Sequence, residues 1–114
     1  MRPDDRDAAH LWDMLEAARE AQDVIAGIDA DRLLADRLRL RALERTLEIA
    51  GEAARRVSPG FQAACRDIDW RGLVGLRNVL AHEYGRVNHR LLLLTATRDL
   101  PRLIAALEKL LRSA

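Results

Sequence analysis

The stretch DRLLADRLRLRALERTLEIAGEAARRV, residues 31–57, decides the fold class. Leu34, Leu38, Ala42, Arg45, Ile49 and Ala53 form one track along it, and Leu33, Leu40, Leu43, Leu47 and Ala50 form a second. Steps of three and four residues are the signature of an amphipathic helix. The spacing predicts one long helix from about Asp31 to Val57. Asp29 or Asp31 caps its start, and Ser58-Pro59-Gly60 ends it. A helix with apolar residues on two sides has two partners, such as its own bundle and another subunit.

The rest of the chain follows the same pattern. His10, Leu11, Met14, Leu15, Ala18, Ala21, Gln22 and Ile25 predict a first helix from about Asp5 to Ala26, with Gly27 as its terminator. Phe61 to Arg66 makes one or two short turns. Asp69 caps a helix that begins at Trp70, turns Leu73, Val74, Leu76, Val79 and Leu80 inward, and ends near Tyr84-Gly85. A last helix starts around Asn88 and runs to about Arg112, and Pro101 within it should kink it or break it in two. Leu, Ala, Arg and Glu dominate, whereas Val, Ile and Thr are scarce. The expectation is an all-α, antiparallel four- to five-helix bundle that dimerises. With 114 residues it is a single domain spanning 1–114, with residues 1–7 as a flexible N-terminal segment.

Composition excludes several classes. The N-terminus, MRPDDRD, lacks the apolar core of a signal peptide. No apolar run approaches the ~20 residues that span a bilayer. Cys65 stands alone, so no intrachain disulfide forms, and a cytoplasmic setting fits. There is no HExxH, no paired cysteines and no carboxylate cluster beside a histidine, so neither a metal nor another cofactor is expected.

Charge is unevenly placed. Residues 1–70 carry 11 basic and 15 acidic side chains, a balance of −4. Residues 71–102 carry Arg71, Arg77, Arg86, Arg90, Arg98 and Arg102 against Glu83 and Asp99, a balance of +4. A GC-rich genome accounts for arginine in place of lysine, but not for this asymmetry. A local field of arginines attracts phosphate.

That basic third contains Arg77-Asn78-Val79-Leu80-Ala81-His82-Glu83-Tyr84. Histidine moves protons near neutral pH, and arginine holds a phosphate with a fork of donors. In phosphodiester chemistry His82 would deprotonate a ribose 2′-hydroxyl or protonate the leaving oxygen. Arg77 would bind the scissile phosphate, and Asn78 would orient the histidine or the phosphate. On an ideal helix Asn78 and His82 share a face, as do Arg77 and Tyr84, while Arg77 and His82 are splayed by about 140°. One chain presents the pair awkwardly, and a second copy across a symmetric interface would complete it. Spacing alone is a weak signal, because an arginine and a histidine five apart occur by chance in many helices.

The residues around the pair add to it. The HEPN hallmark, an arginine followed after four to six residues by a histidine, usually with a polar residue after the arginine, is matched by Arg77, Asn78 and His82. The chain resembles the HepT family of HEPN-domain ribonuclease toxins, which adds a tyrosine two positions beyond the histidine, here Tyr84. Leu47 to Ala54 resembles the family's Ile-Gly-Glu-Ala helix signature. Ile68 to Leu76 resembles its Pro-Trp-containing lead into the motif, and Leu100-Pro101 its Leu-Pro of the last helix. The resemblance covers roughly residues 8–112. Two positions depart from it. Gly85 stands where many members have an aromatic residue, and Asn88 where they have an acid; both bear on how the loop meets RNA or a partner.

The resemblance implies a type VII toxin–antitoxin system. Its toxin is a homodimer whose two motifs face one cleft and cleave RNA, with tRNA or mRNA as the substrate classes, without metal. The 2′-hydroxyl is the nucleophile and a cyclic phosphate the product. The implied partner is an MntA-type minimal nucleotidyltransferase antitoxin that transfers AMP to the motif tyrosine, making Tyr84 the modification site. The added negative charge and bulk would compete with RNA for Arg77 and His82. The alternative is a non-catalytic helical adaptor that binds a nucleotidyltransferase and its substrates. A third reading is a plain dimerisation module.

Other residues have quieter expectations. Arg71, Arg86 and Arg90 are candidate RNA contacts, with a solvated surface as the competing reading. His10 is expected partly buried in a structural role, and His89 capping or exposed. Cys65 is an inert thiol, Trp70 a core anchor, and Glu52 a polar contact to the motif helix.

Overall fold

The computed structural model describes residues 2–112, and for Tyr84 the backbone alone. It is an all-α fold. Helix α1 spans Asp5–Ile25, α2 Ala30–Ala35, α3 Arg37–Arg56, α4 Pro59–Ala64, α5 Trp70–His82 and α6 His89–Arg112, with a 3-10 turn at Tyr84–Arg86. Four long helices make the bundle and two short ones fill its corners. Helix α3 lies between α1 and α5, and α6 packs along the other side of α1.

Each helix start is set by a short polar side chain that accepts a free backbone N–H. Asp4 accepts from Asp7, Asp29 from Arg32, Asp36 from Arg39, Ser58 from Phe61, Asp69 from Gly72 and Asn88 from Leu91. Between α1 and α2 the chain turns at Gly27, whose φ of 68° is the left-handed conformation that glycine adopts without strain.

One expectation is corrected and another is narrowed. The single helix from Asp31 to Val57 is two, because Asp36 leaves the helical region (φ −110°, ψ 90°) and its carboxylate caps a new helix. Apolar spacing runs through a one-residue break unchanged, so periodicity did not register it. Of the two outcomes expected at Pro101, a kink or a break, the break does not occur: α6 is continuous from His89 to Arg112. The residue whose carbonyl loses its donor, Thr97, is exposed, as is Pro101, so water can replace the missing bond. The first helix begins at Asp5, where the sequence placed it. Asp7 is buried and accepts from the Ser58 N–H at 2.8 Å and the Ser58 hydroxyl at 2.6 Å, which ties the start of α1 to the α3–α4 corner.

The core has two lobes. Leu33, Leu40, Leu43, Leu47, Leu80 and Leu93 belong to one. Leu11, Met14, Leu15, Phe61, Trp70 and Leu107 belong to the other. Leu103 and Ile104 of α6 pack against both. Trp70 anchors the start of α5, donating its indole N–H to the Cys65 carbonyl at 2.8 Å. The two tracks of residues 31–57 separate as expected. Leu33, Leu40, Leu43, Leu47 and Ala50 are buried, while Leu34, Leu38 and Ile49 of the other track are exposed and its Ala53 is buried.

Helices α3 and α5 meet at Gly51. A Cβ there would lie 2.4 Å from Arg77 Cβ and 2.6 Å from the Leu73 carbonyl oxygen, closer than real contacts allow. Only glycine permits this approach. Gly75, on the exposed side of α5, has nothing within 4 Å of its virtual Cβ. Gly51→Ala is therefore expected to lower stability by ~1–3 kcal/mol through overpacking. Gly75→Ala is expected to raise it by ~0.5–1 kcal/mol through helix propensity. Urea denaturation of the two variants checks this, and equal midpoints would remove the argument for close packing at Gly51.

Candidate active site

Arg77 sits in the middle of α5 on the side that meets α3. Its side chain is 24% exposed, its Nε lies 3.0 Å from Glu52 Oε2, and its Nη1 donates to Asn78 Oδ1 at 3.0 Å. The Nε atom is buried and its N–H is not aligned on any acceptor. At 3.0 Å the Glu52 contact is thus an ion pair rather than a well-formed hydrogen bond. Asn78 is exposed, and its Oδ1 accepts from the guanidinium of Arg77.

Glu52 is gripped from its own helix as well. Its Oε1 accepts from Arg55 Nη2 at 2.7 Å and from Arg56 Nε at 3.2 Å, while Oε2 accepts from Arg55 Nε at 3.3 Å. The Arg55 bond holds the carboxyl far below the ordinary 4.5, down to about 2. Partial burial opposes this, and the hydrogen bond from Arg56 and the positive charges of Arg55 and Arg77 reinforce it. One carboxylate therefore serves three guanidinium groups.

His82 is the last residue of α5 and is exposed; it makes no hydrogen bond or ion pair with another described residue. The helix is regular from Arg77 to His82, so the expected splay of about 140° applies. Arg77 lines a groove of about 450 Å³ between α1 and α3, together with His10, Glu16, Glu48, Ile49 and Glu52. His82 does not line that groove.

Tyr84 does not share a helical face with Arg77. The α-helix ends at His82, the Glu83 N–H closes on the Val79 carbonyl, and the chain passes into the 3-10 turn at Tyr84. The expected seven-residue phase therefore stops short of the tyrosine, whose side chain lies outside the described residues. Its neighbours Gly85 and Arg86 are exposed.

The candidate RNA contacts have different surroundings. Arg71 is exposed and lines a second groove with Arg55, Arg66 and Trp70. Arg86 stands 3.6 Å from Glu83, and Arg90 pairs with Asp31 of α2. His89 was expected to cap or to be exposed. It does neither: Asn88 caps α6, and the His89 Nε2 lies 3.3 Å from Glu44 Oε2, both side chains largely covered. His10 is half-buried, as expected. Burial raises the Cys65 thiol above its ordinary range. Among the described residues no group of His, Cys, Asp or Glu side chains is placed to hold a metal ion, and no helix is long and apolar enough to cross a membrane.

Glu52 sets a pH dependence with a definite sign. Its folded value, about 2, is below the unfolded 4.5, so between these pH values the unfolded chain binds more protons. The stabilisation from Glu52 is complete above pH 4.5 and disappears as pH falls toward 2. The melting-temperature advantage of wild type over Glu52→Gln should shrink across that window in paired thermal melts. A gap that stays constant from pH 7 to pH 2.5 would show that the carboxylate charge adds nothing.

The comparisons agree with this architecture. A family model described as Ribonuclease HepT-like matches residues 14–110. The chain is 33% identical over 101 residues to "Probable ribonuclease HepT" of Thermococcus cleftensis, covering 89% of this chain and 92% of that one. It is 33% identical over 95 residues to "Putative RNase MJ1380" of Methanocaldococcus jannaschii, covering 83% and 87%. No solved structure matches. The match across nearly the whole helical bundle places the chain in the HepT-like ribonuclease family, and by that membership it is an endoribonuclease.

Proposed function

We propose that this endoribonuclease is the toxin of a type VII toxin–antitoxin pair and cleaves RNA at a site shared between two copies of the chain. The observation that carries the reading is the separation of Arg77 from His82. Arg77 faces the α3 side of α5, His82 is exposed at the helix end, and the two point about 140° apart. A twofold axis beside α5 would bring the His82 of each copy toward the Arg77 of the other. The exposed large apolar side chains Trp12, Leu34, Leu38, Ile49, Leu91 and Leu94 fit a chain that has a second apolar partner.

The chemistry needs no metal. The ribose 2′-oxygen attacks the adjacent phosphorus, the 5′-oxygen of the next nucleotide leaves, and a 2′,3′-cyclic phosphate remains. One His82 imidazole removes the 2′ proton or supplies a proton to the leaving oxygen. Arg77 stabilises the charge that gathers on the phosphoryl oxygens. Arg71, Arg86 and Arg90 add a field that draws RNA in and weakens with salt.

Arg77→Ala and His82→Ala are each expected to lower single-turnover RNA cleavage by ~10²–10⁴-fold, and to abolish growth arrest on expression. Wild-type rates in both variants would reject the site. A folded, dimeric wild type that is harmless when expressed alone would favour the adaptor reading.

The same proposal makes Tyr84 the switch. It stands two residues beyond His82 in an exposed turn, where a transferred AMP would set phosphate charge beside the motif. With an MntA-type nucleotidyltransferase and ATP, wild type should gain mass in adenylate units while Tyr84→Phe does not. Equal mass gain in both would place the modification elsewhere.

A further inference from the structure

We infer that Glu52 is the positioning residue for Arg77, fixing the guanidinium so that its outer nitrogens meet the substrate phosphate. This rests on the proposed Arg/His site.

The geometry has three parts. First, Gly51 lets α5 close on α3, so the Arg77 stem packs against the α3 backbone and its Nε is brought 3.0 Å from Glu52 Oε2. Second, the carboxylate cannot swing freely. Arg55 holds both of its oxygens, Nη2 on Oε1 and Nε on Oε2, and Arg56 holds Oε1 again. A two-point grip of this kind fixes the plane of a carboxylate as well as its position. Third, Glu52 and Asn78 take only the inner part of the guanidinium. Glu52 faces Nε and Asn78 takes one Nη1 donor, while Nη2 makes no hydrogen bond with another described residue. The free donors form the edge that a phosphate engages.

The pairing does not cancel the attraction for phosphate. Glu52 itself carries one negative charge against three guanidinium groups, while the groove that Arg77 lines also holds Asp13, Glu16, Glu20 and Glu48. The Arg77 Nε is buried against Glu52 and is held there by charge and distance rather than by an aligned hydrogen bond. The opposite role, a carboxylate that masks Arg77 from substrate, predicts the opposite kinetics. Removing a mask would lower KM and leave kcat unchanged. Removing a positioning group lowers kcat, because misplacement by about 1 Å can cost ~10²-fold in rate.

The experiment compares wild type, Glu52→Gln, Arg77→Ala, His82→Ala and the double variant Glu52→Gln/Arg77→Ala. Each is read by steady-state RNA cleavage, with thermal melts to confirm folding and ¹⁵N spectra of the arginine Nε–H groups. For Glu52→Gln, kcat is expected to fall ~10–10²-fold with KM altered less than about threefold, and the Arg77 Nε resonance to shift. The same change in an Arg77→Ala background should do nothing further. If Arg77→Ala and His82→Ala are inactive while Glu52→Gln cleaves as wild type or with a lower KM, the positioning role is overturned and the site stands. If Arg77→Ala and His82→Ala keep wild-type rates, the site itself fails, and the role of Glu52 with it. Should Glu52→Gln not fold, Glu52→Asp takes its place. It keeps the charge on α3 but draws it about 1.5 Å back from Arg77, and the same outcomes decide.

Discussion

The contact of α3 with α5 at Gly51 is the constraint on which the rest of the site depends. A helix normally keeps its neighbour at the distance its side chains require, 8–10 Å between axes. Where one residue lacks a side chain, the backbone of one helix meets the side-chain stems of the other. Here the stem is that of Arg77, and the next residue along α3 is Glu52. The packing choice and the electrostatic one are therefore the same choice. A cation on α5 can be half-buried because the glycine that admits it is followed by the carboxylate that neutralises it. Arg55 and Arg56, one turn further on, keep that carboxylate charged.

This arrangement gives the charge asymmetry of the chain a physical meaning. The first 70 residues are acidic and residues 71–102 are basic. Much of the acid is used at helix starts, where Asp4, Asp29, Asp36 and Asp69 satisfy backbone N–H groups. Other acids meet arginines across elements, as Asp31 meets Arg90 and Glu52 meets Arg77. The basic third is thus partly neutralised inside the fold. Arg86, Arg90 and Arg98 meet carboxylates at the surface, so the field that Arg71, Arg102 and the edge of Arg77 add to is less than a count of arginines implies.

The sequence carried the bundle well because helix periodicity and capping are local. The ends of α1, the Asp69 cap, the buried Trp70 and the two-sided character of residues 31–57 all follow from spacing and residue type. Its failures were also local in origin but tertiary in resolution. Asp36 competes for a backbone N–H with a carboxylate that a periodicity argument treats only as polar. Pro101 breaks a helix only where the orphaned carbonyl would be buried, and burial is not written in the sequence. His89 finds Glu44, 45 residues away, and no pattern within one helix signals that pair.

The candidate site residues show the same division. The motif named Arg77 and His82, and ideal helix geometry gave their splay, because both follow from position along one element. What Arg77 touches did not follow, since the partner is on another helix and the contact requires a glycine there. Nor did the place of Tyr84, because the helical phase that seemed to align it with Arg77 ends at His82. Under the proposed function, that ending bears on control as much as on catalysis. A tyrosine on the helix face would turn with Arg77, toward α3 and away from solvent. In a turn beyond the helix its backbone is free of that phase, flanked by exposed Gly85 and Arg86. A modifying enzyme needs access of this kind, and a residue that packs beside Glu52 could not provide it.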